Sequence, residues 1–184
     1  MEENQINTDL IITQTKKWIT EVIIACNFCP FAAKEIRNDT VHYQVDYDIT
    51  TAICLEHLIA ECVRLDDDDS IETSLQIFPN GFKHFEDYLD MVAIAEKLMS
   101  VQGYDGIYQL ASFHPDYCFE GALVDDAANF TNRSVYPMLH LLRESRIDEA
   151  LLKYPNPEKI PETNINFARK KGMAYMQLLR ENCL

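Results

Sequence analysis

Between residues 40 and 113 the chain switches twice between a strand period and a helix period, and this alternation limits its folds more than any other feature. Residues 40–45 (Thr40-Val41-His42-Tyr43-Gln44-Val45) are alternating and β-branched, as a half-buried strand requires. Residues 50–65 place Leu55, Leu58, Ile59, Cys62 and Leu65 at helical spacing. A second strand at 74–78 is closed by Pro79-Asn80-Gly81. A second helix runs from Phe85 past Met99 to Gly103, and a third strand spans 107–113. Strand, helix, strand, helix, strand implies two crossover units, and such units in one sheet are nearly always parallel. The predicted fold class is α/β, a small and mainly parallel sheet of three or four strands packed with helices.

Helices are also predicted at both ends. Ile11, Trp18, Ile19, Val22, Ile23 and Cys26 form an apolar stripe over residues 8–26, ended by a turn at Phe28-Cys29-Pro30. After the third strand, residues 135–144 and 146–153 read as helices. Pro155, Pro157 and Pro161 mark a connection, and residues 163–181 read as a final helix. With 184 residues, no repeat and no linker, residues 1–184 are expected to form a single domain able to bury its core without disulfides or a structural metal.

Charge excludes some partners. Sixteen Lys and Arg against thirty Asp and Glu give a net charge of −14, which repels phosphate backbones and anionic lipid, so neither nucleic acid nor membrane is an expected partner. No apolar run approaches the roughly 20 residues that span a bilayer. The N-terminus, Met1-Glu2-Glu3-Asn4-Gln5, is acidic where a secretion signal is basic and then apolar. The expected location is the cytoplasm, with all six cysteines as free thiols. The acidic run Asp66-Asp67-Asp68-Asp69 lacks the spaced ligands and glycine of a calcium loop and reads as a solvated connection.

The expected chemistry lies after the third strand. His114 follows that strand at its carboxyl end, where open parallel sheets bind ligands. A loop of some twenty residues then supplies Asp116, Asp125, Asp126, Asn129, Thr131, Asn132, Arg133 and Ser134. Ser134 would cap the next helix, and its free amides with Arg133 would form an anion pocket. On that helix His140, Arg143 and Glu144, at i, i+3 and i+4, would share a face lining a cleft. The alternative is that Asn132 and Ser134 only cap, Arg133 pairs with Asp125 or Asp126 to brace the loop, and His140 makes a surface contact with Glu144. His42, His57 and His84 have no comparable neighbours in sequence and read as surface or packing residues.

Cys26-Asn27-Phe28-Cys29 is a lone Cys-x-x-Cys. A glutaredoxin-like redox reading requires residues 21–25 to be a strand and 31–38 the helix after it, whereas the stripe from Ile11 to Cys26 is helical. A zinc ribbon requires a second such pair, which the sequence lacks. Cys54 and Cys62 stand two turns apart on one helix face and read as core.

Four blocks resemble one family, the mainly bacterial proteins grouped as domain of unknown function 1415. They are Cys29-Pro30-Phe31-Ala32, the segment from Gln109 through His114-Pro115-Asp116 to Tyr117, the segment Asp125 to Ser134, and the segment Tyr136 to Glu144. The likeness runs from about residue 8 to residue 180. The chain departs from the pattern at Cys26, where the family has an apolar residue, and at Val135, where it has proline; the first departure leaves Cys29 as the thiol of interest. The resemblance implies no established reaction and names no cofactor.

Together these readings predict a small-molecule enzyme with a Cys/His/Arg cleft. Cys29 is the nucleophile or redox thiol, and His114 or His140 is the acid/base. Asn132, Arg133 and Arg143 hold an anionic group of the substrate, with Asp116, Asp125 and Asn129 completing the site. The competing expectation is a Zn²⁺ or Fe²⁺ site built from Cys29, His114, His140 and a carboxylate of Asp116 or Asp125. A third is a non-catalytic module in which Cys29, His114 and His140 lie apart. Nothing in the sequence sets the oligomeric state.

Overall fold

The structure, a computed structural model, describes residues 8–184. Four strands form one sheet: β1 (Val41–Val45), β2 (Thr73–Ile77), β3 (Tyr108–Phe113) and β4 (Met138–Arg143). Their order is β1-β2-β4-β3. β1 and β2 are parallel, and β4 runs antiparallel to both of its neighbours. The fold is α/β with a mixed sheet. The three strands read from the sequence do point the same way, but β4 separates β2 from β3, so "mainly parallel" does not hold.

β4 is also the main departure in secondary structure, since a helix is predicted over 135–144. Met138, Leu139 and Leu141 are all buried, with apolar side chains on both faces of the sheet. A strand covered on both sides loses its alternation, and periodicity alone cannot tell it from a buried helix.

One face of the sheet is covered by α3 (Thr51–Asp67) and α4 (Phe85–Val101). Leu55, Leu58, Leu65, Met91 and Met99 pack there against Leu139 and Leu141. Full burial of each such side chain contributes roughly 1.5–3 kcal/mol. The buried Tyr88 hydroxyl donates to the Met138 carbonyl at 2.7 Å, fastening α4 to β4.

The other face packs on the chain termini. α1 (Thr8–Trp18) passes into a π-helical turn (Ile19–Ile24), so the predicted continuous helix over 8–26 changes geometry in its last third. The amides of Ala25 and Phe28 reach back five residues, to the carbonyls of Thr20 and Ile23. α2 (Ala32–Asn38) follows, so residues 21–25 are helical and the strand needed by a glutaredoxin-like start is absent. The predicted last helix is two, α6 (Ile160–Lys171) and α7 (Met173–Glu181), divided at Gly172, whose φ of 85° glycine adopts without a side-chain clash. Ala168 and Met176 from this pair close the core over Leu75, Ile77 and Met138. Between β4 and α6 lies α5 (Glu144–Lys153), none of whose residues is buried. Among the described residues no helix is long and apolar enough to cross a membrane.

Candidate functional site

Over the β1–β2–β4–β3 sheet, on the face shared with α1, lies a cavity of about 470 Å³. Its floor is the sheet itself: Val41, Thr73, Leu75, Ala111, Phe113, His140 and Leu142. The π-helical turn contributes Ile19 and Ile23, the turn after it Cys29 and Phe31, α2 Ile36, and α5 Ile147 and Ala150. Trp18, the only tryptophan of the chain, also lines the cavity, its ring edge-on to Phe113 at 5.3 Å. π-turns inside helices recur at functional sites because the extra residue re-aims side chains. α5 has no buried residue because Ile147 and Ala150 face this cavity instead of a packed layer.

His140 is one of the floor residues, paired in register with Leu75 on β2 and the small Ala111 on β3. Its Nε2 lies 2.6 Å from Thr73 Oγ1, and the Thr73 hydroxyl proton goes to the Leu141 carbonyl. Nε2 therefore carries the proton and donates to Thr73. Nδ1 is left as a lone-pair acceptor, and His140 lines the cavity. Burial drives the pKa of His140 down to about 4, since no carboxylate among the described residues pairs with the imidazolium. At neutral pH it is an uncharged imidazole.

Cys29 lines the same cavity, 111 positions away in sequence. Burial raises its thiol above the usual range, and the amides of Phe31 and Ala32 only partly offset this, so the resting form is the protonated thiol. Cys26 is buried in the core and its thiol is likewise raised by burial. Neither sulfur has the depressed pKa of a redox Cys-x-x-Cys.

The structure does not bring His114 to this cavity. Its Nε2 donates to the Phe82 carbonyl at 2.8 Å, its Nδ1 accepts from the Asp116 amide at 2.9 Å, and Phe85 and Tyr88 flank the ring. With both nitrogens engaged and its pKa lowered by burial, it is a neutral joint between the loop and α4. It offers no nitrogen to a metal. Among the described residues, no group of three or more His, Cys, Asp or Glu is placed to hold a metal ion. The ligand set Cys29, His114, His140 with Asp116 or Asp125 is therefore not assembled.

The polar loop spends its side chains on its own backbone. Asn129, fully buried, accepts from the Phe119 amide at 3.1 Å and donates to the Leu123 carbonyl at 2.9 Å. Arg133 donates to the carbonyls of Tyr117 and Val124 and stacks on Phe130. Asn132 accepts from Thr131 Oγ1 and donates to the Ser112 carbonyl. Asp126 caps the turn Ala127–Thr131 and pairs with Arg169 at 2.7 Å. Asp116 and Asp125 are exposed. Arg143, on a strand instead of a helix, reaches the carbonyls of Leu65, Asp68 and Ile71, where it closes the C-terminal end of α3. It also borders the cavity mouth.

Thr73, the partner of His140, and Arg146 and Lys153 at the mouth lie outside the loop on which the sequence concentrates its polar residues. The signal available was Ala111 beside a strand-borne histidine, legible only once β4 is known to pair with β3. His42 and His57 have no partners legible in sequence. In the fold, His42 Nδ1 lies 2.7 Å from buried Glu61 and His57 Nδ1 lies 2.8 Å from buried Asp46.

A mixed four-stranded α/β sheet with a cavity of small-molecule size over one face, floored by a neutral histidine, defines the class of protein. The chain belongs to the family described as protein of unknown function (DUF1415), whose model matches residues 10–178. No curated protein and no solved structure matches it.

Proposed function

We propose that the protein is an enzyme acting on a small organic molecule held in this cavity, with Cys29 and His140 meeting its reactive centre. The observation that carries the reading is that a thiol and an imidazole 111 residues apart line one cavity. Cys29 is the nucleophile: its sulfur adds to the carbon of a polarised C=X group of the substrate, the C=X π pair moves to X, and the thiol proton is relayed through Nδ1 of His140 to X. That nitrogen is unprotonated and unshared because Thr73 holds the tautomer. The resting pair is neutral, which suits an apolar floor, since charges there would be costly without compensating partners. An imidazole with a pKa of about 4 holds a proton weakly, so it passes the proton on to X instead of resting as an imidazolium.

Iodoacetamide serves as a model electrophile. Its reaction with Cys29, followed by peptide mass spectrometry at neutral pH, is expected to slow several-fold in His140→Phe. Equal rates in the wild type and His140→Phe would remove the coupling of the two groups.

A further inference from the structure

Resting on that reading, we infer that the molecule taken by the cavity is an amphipathic anion: an apolar body with one carboxylate or similar acidic group, which is recognised by Arg146 and Lys153 of α5. The floor and walls accept the body through Leu75, Ala111, Phe113, Leu142 and Ile147. The mouth carries four cations, Lys34, Arg143, Arg146 and Lys153, against three carboxylates, Glu35, Glu72 and Glu149. This local balance is opposite in sign to that of a chain with 16 basic and 30 acidic residues.

Two of the four cations are committed. Lys34 sits 3.0 Å from Glu35, whose other oxygen accepts from Thr40, and Arg143 is engaged by main-chain carbonyls. The other two are available. Arg146 lies 3.8 Å from Glu72 and 4.0 Å from Glu149, too far for hydrogen bonds, and Lys153 has no ion-pair partner among the described residues. Spaced by seven residues, they stand two turns apart on one helix face. An incoming carboxylate exchanges the long contacts of Arg146 for close, charge-assisted ones. With −14 overall, the protein offers no long-range pull on anions, so selection is made at the mouth.

The single Trp18 in the cavity wall reports occupancy through its fluorescence. Titrations would compare decanoate, 1-decanol and butyrate against the wild type, the double variant Arg146→Gln/Lys153→Gln and the cavity-filling Ala150→Phe, with circular dichroism confirming that each variant is folded. Decanoate is expected to bind at least tenfold tighter than decanol and butyrate. The double variant should erase the preference for decanoate over decanol, and Ala150→Phe should weaken both. Equal affinity for decanoate and decanol, lost in Ala150→Phe and unchanged in the double variant, would overturn the anion recognition and leave the cavity as a small-molecule site. No Trp18 response to any probe, or decanoate binding indifferent to Ala150→Phe, would overturn the inference and remove the cavity itself as the binding site.

Discussion

His140 Nε2 and Thr73 Oγ1 lie 2.6 Å apart across the β2–β4 pairing, and the Thr73 proton is committed to the Leu141 carbonyl. This relay fixes the tautomer that leaves Nδ1 open. Thr73→Val keeps the shape and removes the acceptor, so a buried N–H goes unpaired at a cost of about 1–2 kcal/mol in urea unfolding. Thr73→Ser should recover most of it. The ¹⁵N shifts of His140 should show a bare Nδ1 in the wild type and a mixture of tautomers in Thr73→Val. A tautomer unmoved by that substitution would contradict the relay.

The depressed histidines make stability fall in mild acid. A group near 6.5 when unfolded and about 4 when folded is protonated first in the unfolded chain. Its stabilisation is complete above the unfolded value and is lost as pH falls towards 4, a change on the order of 3 kcal/mol for His140. His114, lowered for the same reason, adds to this window in the same direction. Burial alone would raise Glu61, but hydrogen bonds from His42, Ser74 and Arg64 outweigh it and carry its pKa down to about 2. Glu61 therefore adds a further loss at lower pH, between about 4.5 and 2. NMR titration should find His140 still neutral at pH values where a free histidine is mostly charged, and His140→Phe should flatten the upper part of the profile.

Arg143 is expected to matter for stability through the carbonyls of Leu65, Asp68 and Ile71. Arg143→Gln should lower unfolding free energy by about 2–3 kcal/mol, the range for hydrogen bonds to a charged group. Arg143→Lys should rescue little, because a single ammonium cannot reproduce the planar fork. Full stability in the lysine variant would contradict the bracing role.

Asn129 should behave as a strut of the loop. Asn129→Ala leaves the Phe119 amide and the Leu123 carbonyl without their partner, for a loss of about 2–3 kcal/mol. Limited proteolysis should then cut within 114–134 well before global unfolding, while alkylation of Cys29 keeps its wild-type rate. A slowed Cys29 reaction in this variant would tie the loop to the cavity after all.

What the sequence disclosed follows from which residues obey a simple period. β1, β3, α3 and α4 show a strand or helix period in their apolar residues, and β2, although buried throughout, alternates Ser74 and Gln76 with Leu75 and Ile77; all five are found within a residue or two of their predicted positions. Met138 to Arg143 is apolar on both faces, so its strand was legible only through pairing with partners some 65 and 30 positions away. That strand also sets the sheet order. Cys29 and His140 were both visible as chemistry-bearing residues, but the cavity they share forms from α2, α5 and the sheet floor, which sequence spacing does not bring together. The polar density of the loop was visible too. Its side chains are used to satisfy buried backbone groups of a long connection, a demand that composition does not separate from ligand binding.

The most direct test is to alkylate Cys29 with iodoacetamide in a Cys118→Ser background and follow the ¹H–¹³Cε1 signals of the histidine rings. If Cys29 and His140 share one cavity, the added carbamidomethyl group shifts the His140 signal and its titration midpoint and leaves the His114 signal in place. A His140 signal unmoved by the modification, or one that moves no more than that of His114, would contradict the shared site.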